Sequence, residues 1–128
     1  MRQISGSLKY RIRCHLNRGG VIVYPAESCF GIGGLPNKPK ALRKILRIKK
    51  RPHHKGMIVV GGHVEQLQTL ITFRQPEKWL VMQKKWQSTS ITFLLPANKN
   101  KALPLLRGAG QNTIGVRVPS HRGLRNLC

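Results

Sequence analysis

Aspartate is absent from this 128-residue chain, and glutamate occurs only at Glu27, Glu65 and Glu77. A two-metal nuclease needs several acidic ligands, an acid/base glycosidase needs a placed carboxyl pair, and a Ser-His-Asp hydrolase needs an acid to orient its histidine, so three scattered glutamates argue against all three chemistries. Cysteine is scarce as well: Cys14, Cys29 and Cys128 are odd in number and form no CxxC pair. Tetrahedral zinc draws on closely spaced ligand pairs, and His53-His54 with the distant His63 and His121 does not complete a set, so no metal ligand is assigned and the thiols are expected to be reduced. No apolar run approaches the roughly 20 residues that a membrane helix needs. Arg2, Lys9, Arg11 and Arg13 interrupt any signal-peptide-like core, which predicts a cytoplasmic chain with no membrane partner.

Positive charge is abundant instead. Twenty-four Lys and Arg give a formal net charge of +21. Self-repulsion on that scale opposes compaction and is relieved by a polyanion such as RNA or by phosphate-bearing ligands; a solvated basic surface is the bland alternative. The apolar fraction of 40% and the Gly/Pro punctuation between apolar runs describe a globular chain. At this length the chain has room for one modest core.

Ser5 or Ser7 is placed to cap a first helix carrying Leu8, Ile12 and Leu16, with Gly19-Gly20 to stop it. Val21 to Tyr24 reads as a strand buried on both faces, and Pro25 to Pro39 as a loop. Pro39 opens a second helix with an apolar stripe of Leu42, Ile45 and Leu46. Met57 to Val60 reads as another buried strand, Val64 to Ile71 and Glu77 to Trp86 are helical, and Ser90 to Leu95 and Thr113 to Val118 are strand-like. The order α, β, α, β, α, α, β, β predicts an α/β fold: a single domain with a twisted, mixed open sheet flanked by helices, the four strands sharing one sheet. His121 to Cys128 begins another short helix.

Two segments suit an anionic ligand. Gly31-Ile32-Gly33-Gly34 reads as a turn that lets backbone approach phosphate or a small substrate, or as a plain structural turn; it is neither a Walker A nor a complete GxGxxG. Lys49, Arg51 and Lys55 place cations between a helix end and a strand start, where they either converge on a polyanion or simply complement the helix dipole.

These phrases, in order, resemble those of the YrdC/TsaC-like threonylcarbamoyl-AMP synthases: Tyr24-Pro25-x-Glu27 with Phe30-Gly31-x-Gly33, Lys49-x-Arg51-Pro52 with Lys55-Gly56, Ile91-Thr92-Phe93, and Val116-Arg117-Val118-Pro119-x-His121. The resemblance covers roughly Gly20 to Cys128. It implies the YrdC-like fold and an enzyme that makes threonylcarbamoyl-AMP and pyrophosphate from L-threonine, bicarbonate and ATP, for modification of a tRNA adenosine. Threonine's amine captures CO2 or bicarbonate as a carbamate, whose oxygen attacks the α-phosphorus and expels pyrophosphate. Carried over residue by residue, Lys49, Arg51 and Arg117 are ATP/phosphate contacts, Lys55 and Thr92 are threonine contacts, and Tyr24, Glu27, Gly31 and Gly33 line the pocket. Mg2+ is expected to be held mainly by the phosphates, and no catalytic side chain is assigned.

The chain also departs from the family pattern. Ala26 stands where the family has threonine, and Trp86-Gln87-Ser88-Thr89-Ser90 replaces a proline-stiffened phrase. The Ser-x-Ser-Ala-Asn phrase that completes the nucleotide site is expected beyond Cys128, which predicts a domain over 1–128 that is incomplete at its C-terminus. A non-catalytic RNA-binding module of the same fold is the competing expectation.

Overall fold

The computed structural model describes residues 4–72, 75–108 and 111–128. Helix α1 spans Gly6–Asn17 and begins where Ser5 Oγ accepts a hydrogen bond from the Leu8 N–H at 3.2 Å. It ends at Gly19, whose φ of 80° is cheap only for glycine. None of its residues is fully buried, so the Ile12 and Leu16 stripe anchors it only partly.

Strand β1, Ile22–Pro25, does not join the main sheet. It pairs antiparallel with β2, Phe30–Gly33, matching Ile22 to Gly33 and Tyr24 to Gly31. Two expectations are thereby corrected: the first apolar run belongs to a separate hairpin, and the Gly31 to Gly34 phrase lies mostly in a strand. The reversal lies between them, where the Ala26 N–H donates to the Cys29 carbonyl at 3.0 Å. The physical reason is the Tyr24 ring, which lies across β2. A Cβ on Gly31 would stand 2.5 Å from Tyr24 Cε2, and one on Gly33 2.9 Å from Cε1. Glycine at both positions makes room for the ring, and a glycine-rich strand reads from sequence as a turn. β1 is also not buried on both faces, since Val23 is 68% exposed.

Helix α2, Pro39–Lys49, buries Ala41, Leu42, Ile45 and Leu46 and keeps its basic residues outward. Its end is a Schellman closure: the Lys50 N–H donates to the Arg47 carbonyl at 3.2 Å and the Arg51 N–H to the Leu46 carbonyl at 2.9 Å. Lys50 takes the left-handed conformation, φ 51°, a place usually given to glycine.

The main sheet has the order β3-β5-β4, from Ile58–Val60, Thr113–Arg117 and Phe93–Pro96. β5 runs parallel to β3 and antiparallel to β4, which makes the sheet mixed. One face, carrying Val59, Leu95, Ile114 and Val116, packs into the core with α3 (Val64–Leu67), α4 (Pro76–Ser88) and α5 (Pro104–Arg107). Trp86 of α4 fixes the approach to β4: its Nε1–H donates to the Ile91 carbonyl at 2.7 Å, and its ring meets Phe93 edge-on at 5.3 Å. The opposite face is open, with Ile58 55% and Leu94 73% exposed, so the β3 run is not the fully buried strand its composition predicts. The chain closes with α6, Arg122–Leu127, where His121 Nδ1 accepts from the Leu124 N–H at 3.1 Å.

Candidate functional site

The open sheet face carries a cleft of about 360 Å³. Its floor is β5 at Thr113 and Gly115, flanked by Ile58 of β3 and by Thr92 and Leu94 at β4. Gly115 keeps that floor flat. A Cβ there would stand 3.3 Å from Thr92 Cγ2 and 3.4 Å from Ile58 Cγ1, tight against both.

Three cations stand at the rim: Arg51, Lys55 and Arg107. Arg51 follows the α2 closure, and its Nε–H donates to the Gly56 carbonyl at 3.0 Å, which holds the guanidinium against the next turn. Lys55 ends a short 3-10 turn, His53–Lys55, whose Lys55 N–H donates to the Pro52 carbonyl at 3.2 Å. Gly56 then passes so close to α5 that a Cβ would lie 2.6 Å from the Leu106 carbonyl oxygen, and its φ is 67°. The Lys-Gly dipeptide is thus explained locally: glycine permits the crossing, and the crossing delivers lysine to the rim. The described lining of the cleft contains no carboxylate.

The structure divides the remaining residues singled out from sequence. Lys49 lies exposed in the last turn of α2 and does not line this cleft. Tyr24 and Gly33 line a second cavity of about 320 Å³, mainly apolar, between the hairpin, α2 and β3, and Gly31 faces the Tyr24 ring. Arg117 shares the open face with Thr113 and Gly115, one pleat on from Gly115 or about 7 Å along the strand. Its Nη2 lies 3.6 Å from Glu27 Oε2, with the two side chains 25% and 23% exposed. Glu27 also accepts from the Ser120 N–H at 2.9 Å and the His121 N–H at 3.3 Å, which ties the hairpin turn to the residues after β5. Burial pushes the Glu27 carboxyl's pKa up, but backbone N–H groups, those of Glu27 itself and His121, together with Arg117 and Ser90 outweigh it and leave the pKa below its ordinary value. Burial raises the pKa of the Tyr24 phenol.

The site residues implied by the resemblance divide between two adjoining cavities that share Met57, Ile58 and Leu106 in their walls. Arg51, Lys55 and Thr92 meet in one, and Tyr24 and Gly33 in the other. Sequence reading missed Arg107, Gln111 and Gly115 in the cationic cleft. The available signal was the Arg107-Gly108 pair, a second cation-glycine dipeptide like Lys55-Gly56. No group of three or more His, Cys, Asp or Glu fit to hold a metal occurs among the described residues.

The fold is thus a mixed-sheet α/β domain whose open face carries a cationic cleft with no carboxylate in its described lining. The chain belongs to the Sua5/YciO/YrdC family, whose model, described as "Telomere recombination", matches residues 14–128. It is 44% identical over 127 residues to a threonylcarbamoyl-AMP synthase of Neisseria gonorrhoeae, covering 99% of this chain and 66% of that protein. A threonylcarbamoyl-AMP synthase of Laribacter hongkongensis is 43% identical over 126 residues, covering 98% and 66%. The chain thus spans just under two thirds of the length of these relatives. Among solved structures, Sua5 of P. abyssi complexed with L-threonine superposes with a TM-score of 0.85 at 23% identity, covering 98% of this chain and 36% of that one. YciO of E. coli gives 0.76 at 26% identity, covering 96% and 58%. The α/β architecture is that of its family.

Proposed function

We propose that this chain carries the substrate face of an L-threonylcarbamoyladenylate synthase acting in the cytoplasm on L-threonine, bicarbonate and ATP. The observation that carries this reading is the convergence of Arg51, Lys55 and Thr92 on one cleft without a carboxylate. In this reading Lys55 and Thr92 meet threonine's carboxylate and hydroxyl, while Arg51, with Lys49 and Arg117 farther out, faces the phosphates. The names of the relatives at 43% and 44% identity support it. The reaction needs the carbamate oxygen aligned with the α-phosphorus and the charge on the departing pyrophosphate held by fixed cations, so the scarcity of protein carboxylates is no obstacle. Mg2+ enters with the phosphates, since the cleft lining offers it no anionic ligand. Glu27 holds Arg117 at the far end of the open face, and Tyr24 with Gly31 and Gly33 shapes the neighbouring wall.

The test is incubation of the chain with ATP, threonine and labelled bicarbonate, read by mass spectrometry for threonylcarbamoyl-AMP and by pyrophosphate release. Product that disappears in Arg51→Ala is the expected result. Failure to bind either ATP or threonine would sink the reading.

The net charge of +21 favours a second activity on the same molecule, binding of tRNA or double-stranded RNA through the exposed cations of α1 and α2. It stands or falls by its own measurement, a salt titration of RNA affinity.

A further inference from the structure

We infer that Arg107 is an anion-binding residue of the cleft, paired across its rim with Arg51. This rests on the reading of the cleft as the place where the phosphates bind. Arg107 closes α5, and two carbonyls immobilise its side chain: Nε–H donates to Ala102 at 3.2 Å and Nη1–H to Gln111 at 2.9 Å. A guanidinium carries five N–H donors, so these bonds fix its plane and leave donors over. Arg51 is arranged the same way, with Nε–H spent on the Gly56 carbonyl. Both planar forks are therefore preorganised, which removes much of the side-chain entropy that a surface arginine loses on binding.

A second observation, from the backbone, brings the same residues together. The segments carrying Lys55 and Arg107 cross at two glycines. A Cβ on Gly56 would stand 3.0 Å from the Arg107 carbonyl carbon, and one on Gly108 would run into the His54 carbonyl oxygen. The Met57 N–H donates to the Leu106 carbonyl at 2.9 Å and locks the crossing. Arg107 and Lys55 are consequently held side by side, with Arg51 on the same cleft. Such an unbalanced cluster fits an anion of more than one charge, a di- or triphosphate, better than a lone carboxylate.

The experiment is calorimetric titration of inorganic pyrophosphate at fixed ionic strength into the wild-type chain, Arg51→Ala, Arg107→Gln, Arg107→Lys and Gln111→Glu, with a thermal melt of each. Loss of a charge-assisted contact predicts affinity lowered roughly 10- to 100-fold in Arg107→Gln, with lysine restoring only part because it lacks the fork. Gln111→Glu leaves the Arg107 hydrogen bonds in place, since those use the main-chain carbonyl, and adds a carboxylate to the cleft lining. It too is expected to weaken pyrophosphate, and it decides the matter if Arg107→Gln fails to fold. Wild-type affinity in Arg107→Gln or in Gln111→Glu, with Arg51→Ala weakened, would overturn the inference and leave the cleft reading intact. No pyrophosphate binding by the wild type would overturn both. Binding that depends on Arg107 without any threonylcarbamoyl-AMP formed from ATP, threonine and bicarbonate would uphold Arg107 and refute the synthase reading.

Discussion

Single residues with unusual conformations set the geometry of the cleft. Lys50 occupies the left-handed position of the α2 closure, where an L side chain is strained by roughly 1–2 kcal/mol and glycine is not. Glycine also loses more chain entropy on folding, so Lys50→Gly is expected to stabilise the protein by about 0.5–1 kcal/mol. A higher urea midpoint with an unchanged m-value would check it, and a lower one would contradict the strain. Glu27 can be tested by pH. Its folded pKa is below the ordinary value of 4.5, so the unfolded chain binds that proton more readily. The stability Glu27 supplies is therefore present above the ordinary value and lost as pH falls through the folded one. The chain has two other glutamates, no aspartate and five histidines, so the difference between wild type and Glu27→Gln, rather than either curve alone, isolates the Glu27 contribution. Urea stability measured between pH 3 and pH 7 is expected to fall on the acid side in the wild type and to be flatter in Glu27→Gln. Identical acid limbs would mean that the Arg117 pair and the Ser120 and His121 amides contribute nothing.

At the level of elements, the longer helices were legible in the sequence because their signals are local, whereas the single turn of α5, Pro104–Arg107, was not. Ser5 before α1, Pro39 at the start of α2 and the Leu42, Ile45, Leu46 stripe each act within one or two turns. Three of the four expected strands did enter one sheet, since their β-branched and aliphatic runs flank the core. The hairpin was not legible. Phe30-Gly31-Ile32-Gly33 has the composition of a turn, and only the Tyr24 ring from the partner strand shows why glycine is there. The cleft was half legible for the same reason: Arg51 and Lys55 sit in one phrase, whereas Gly115 and Arg107 reach it through strand pairing and the crossing at Gly56. Gly115 supplies the element-scale test. Gly115→Val would suit a central strand by propensity, yet its side chain would project into the space beside Thr92 and Ile58. Retained far-UV circular dichroism with pyrophosphate and threonine binding lowered at least about tenfold is expected, since the added isopropyl group fills the cleft floor and forcing extra carbons into occupied space typically costs about 1–3 kcal/mol. Unchanged binding of both ligands would move the site away from the sheet face.

At the scale of the whole molecule, the charge of +21 exceeds what one small cleft can use. Lys40, Arg43, Lys44 and Arg47 lie exposed on α2, and Lys9, Arg11 and Arg13 lie exposed on α1. Lys40, at the start of α2, lies beside the end of α1, since a Cβ on Gly19 would stand 3.4 Å from its side chain. Both sets of cations stand apart from the cleft, whose lining draws on neither helix. A surface of this kind grips backbone phosphate rather than sequence, and its affinity comes largely from released counterions. For a tRNA-sized ligand the log-log dependence of affinity on salt is expected to have a slope of about −0.7 to −0.9 for each phosphate neutralised. The double variant Arg43→Ala/Arg47→Ala should flatten that slope by about 1.4 to 1.8 if each arginine holds one phosphate. Because the two sites are separate, pyrophosphate at a concentration that saturates the cleft, added at constant ionic strength, should leave RNA affinity unchanged. Full competition by pyrophosphate would place the RNA in the cleft, and affinity insensitive to salt would remove the electrostatic account of RNA binding altogether.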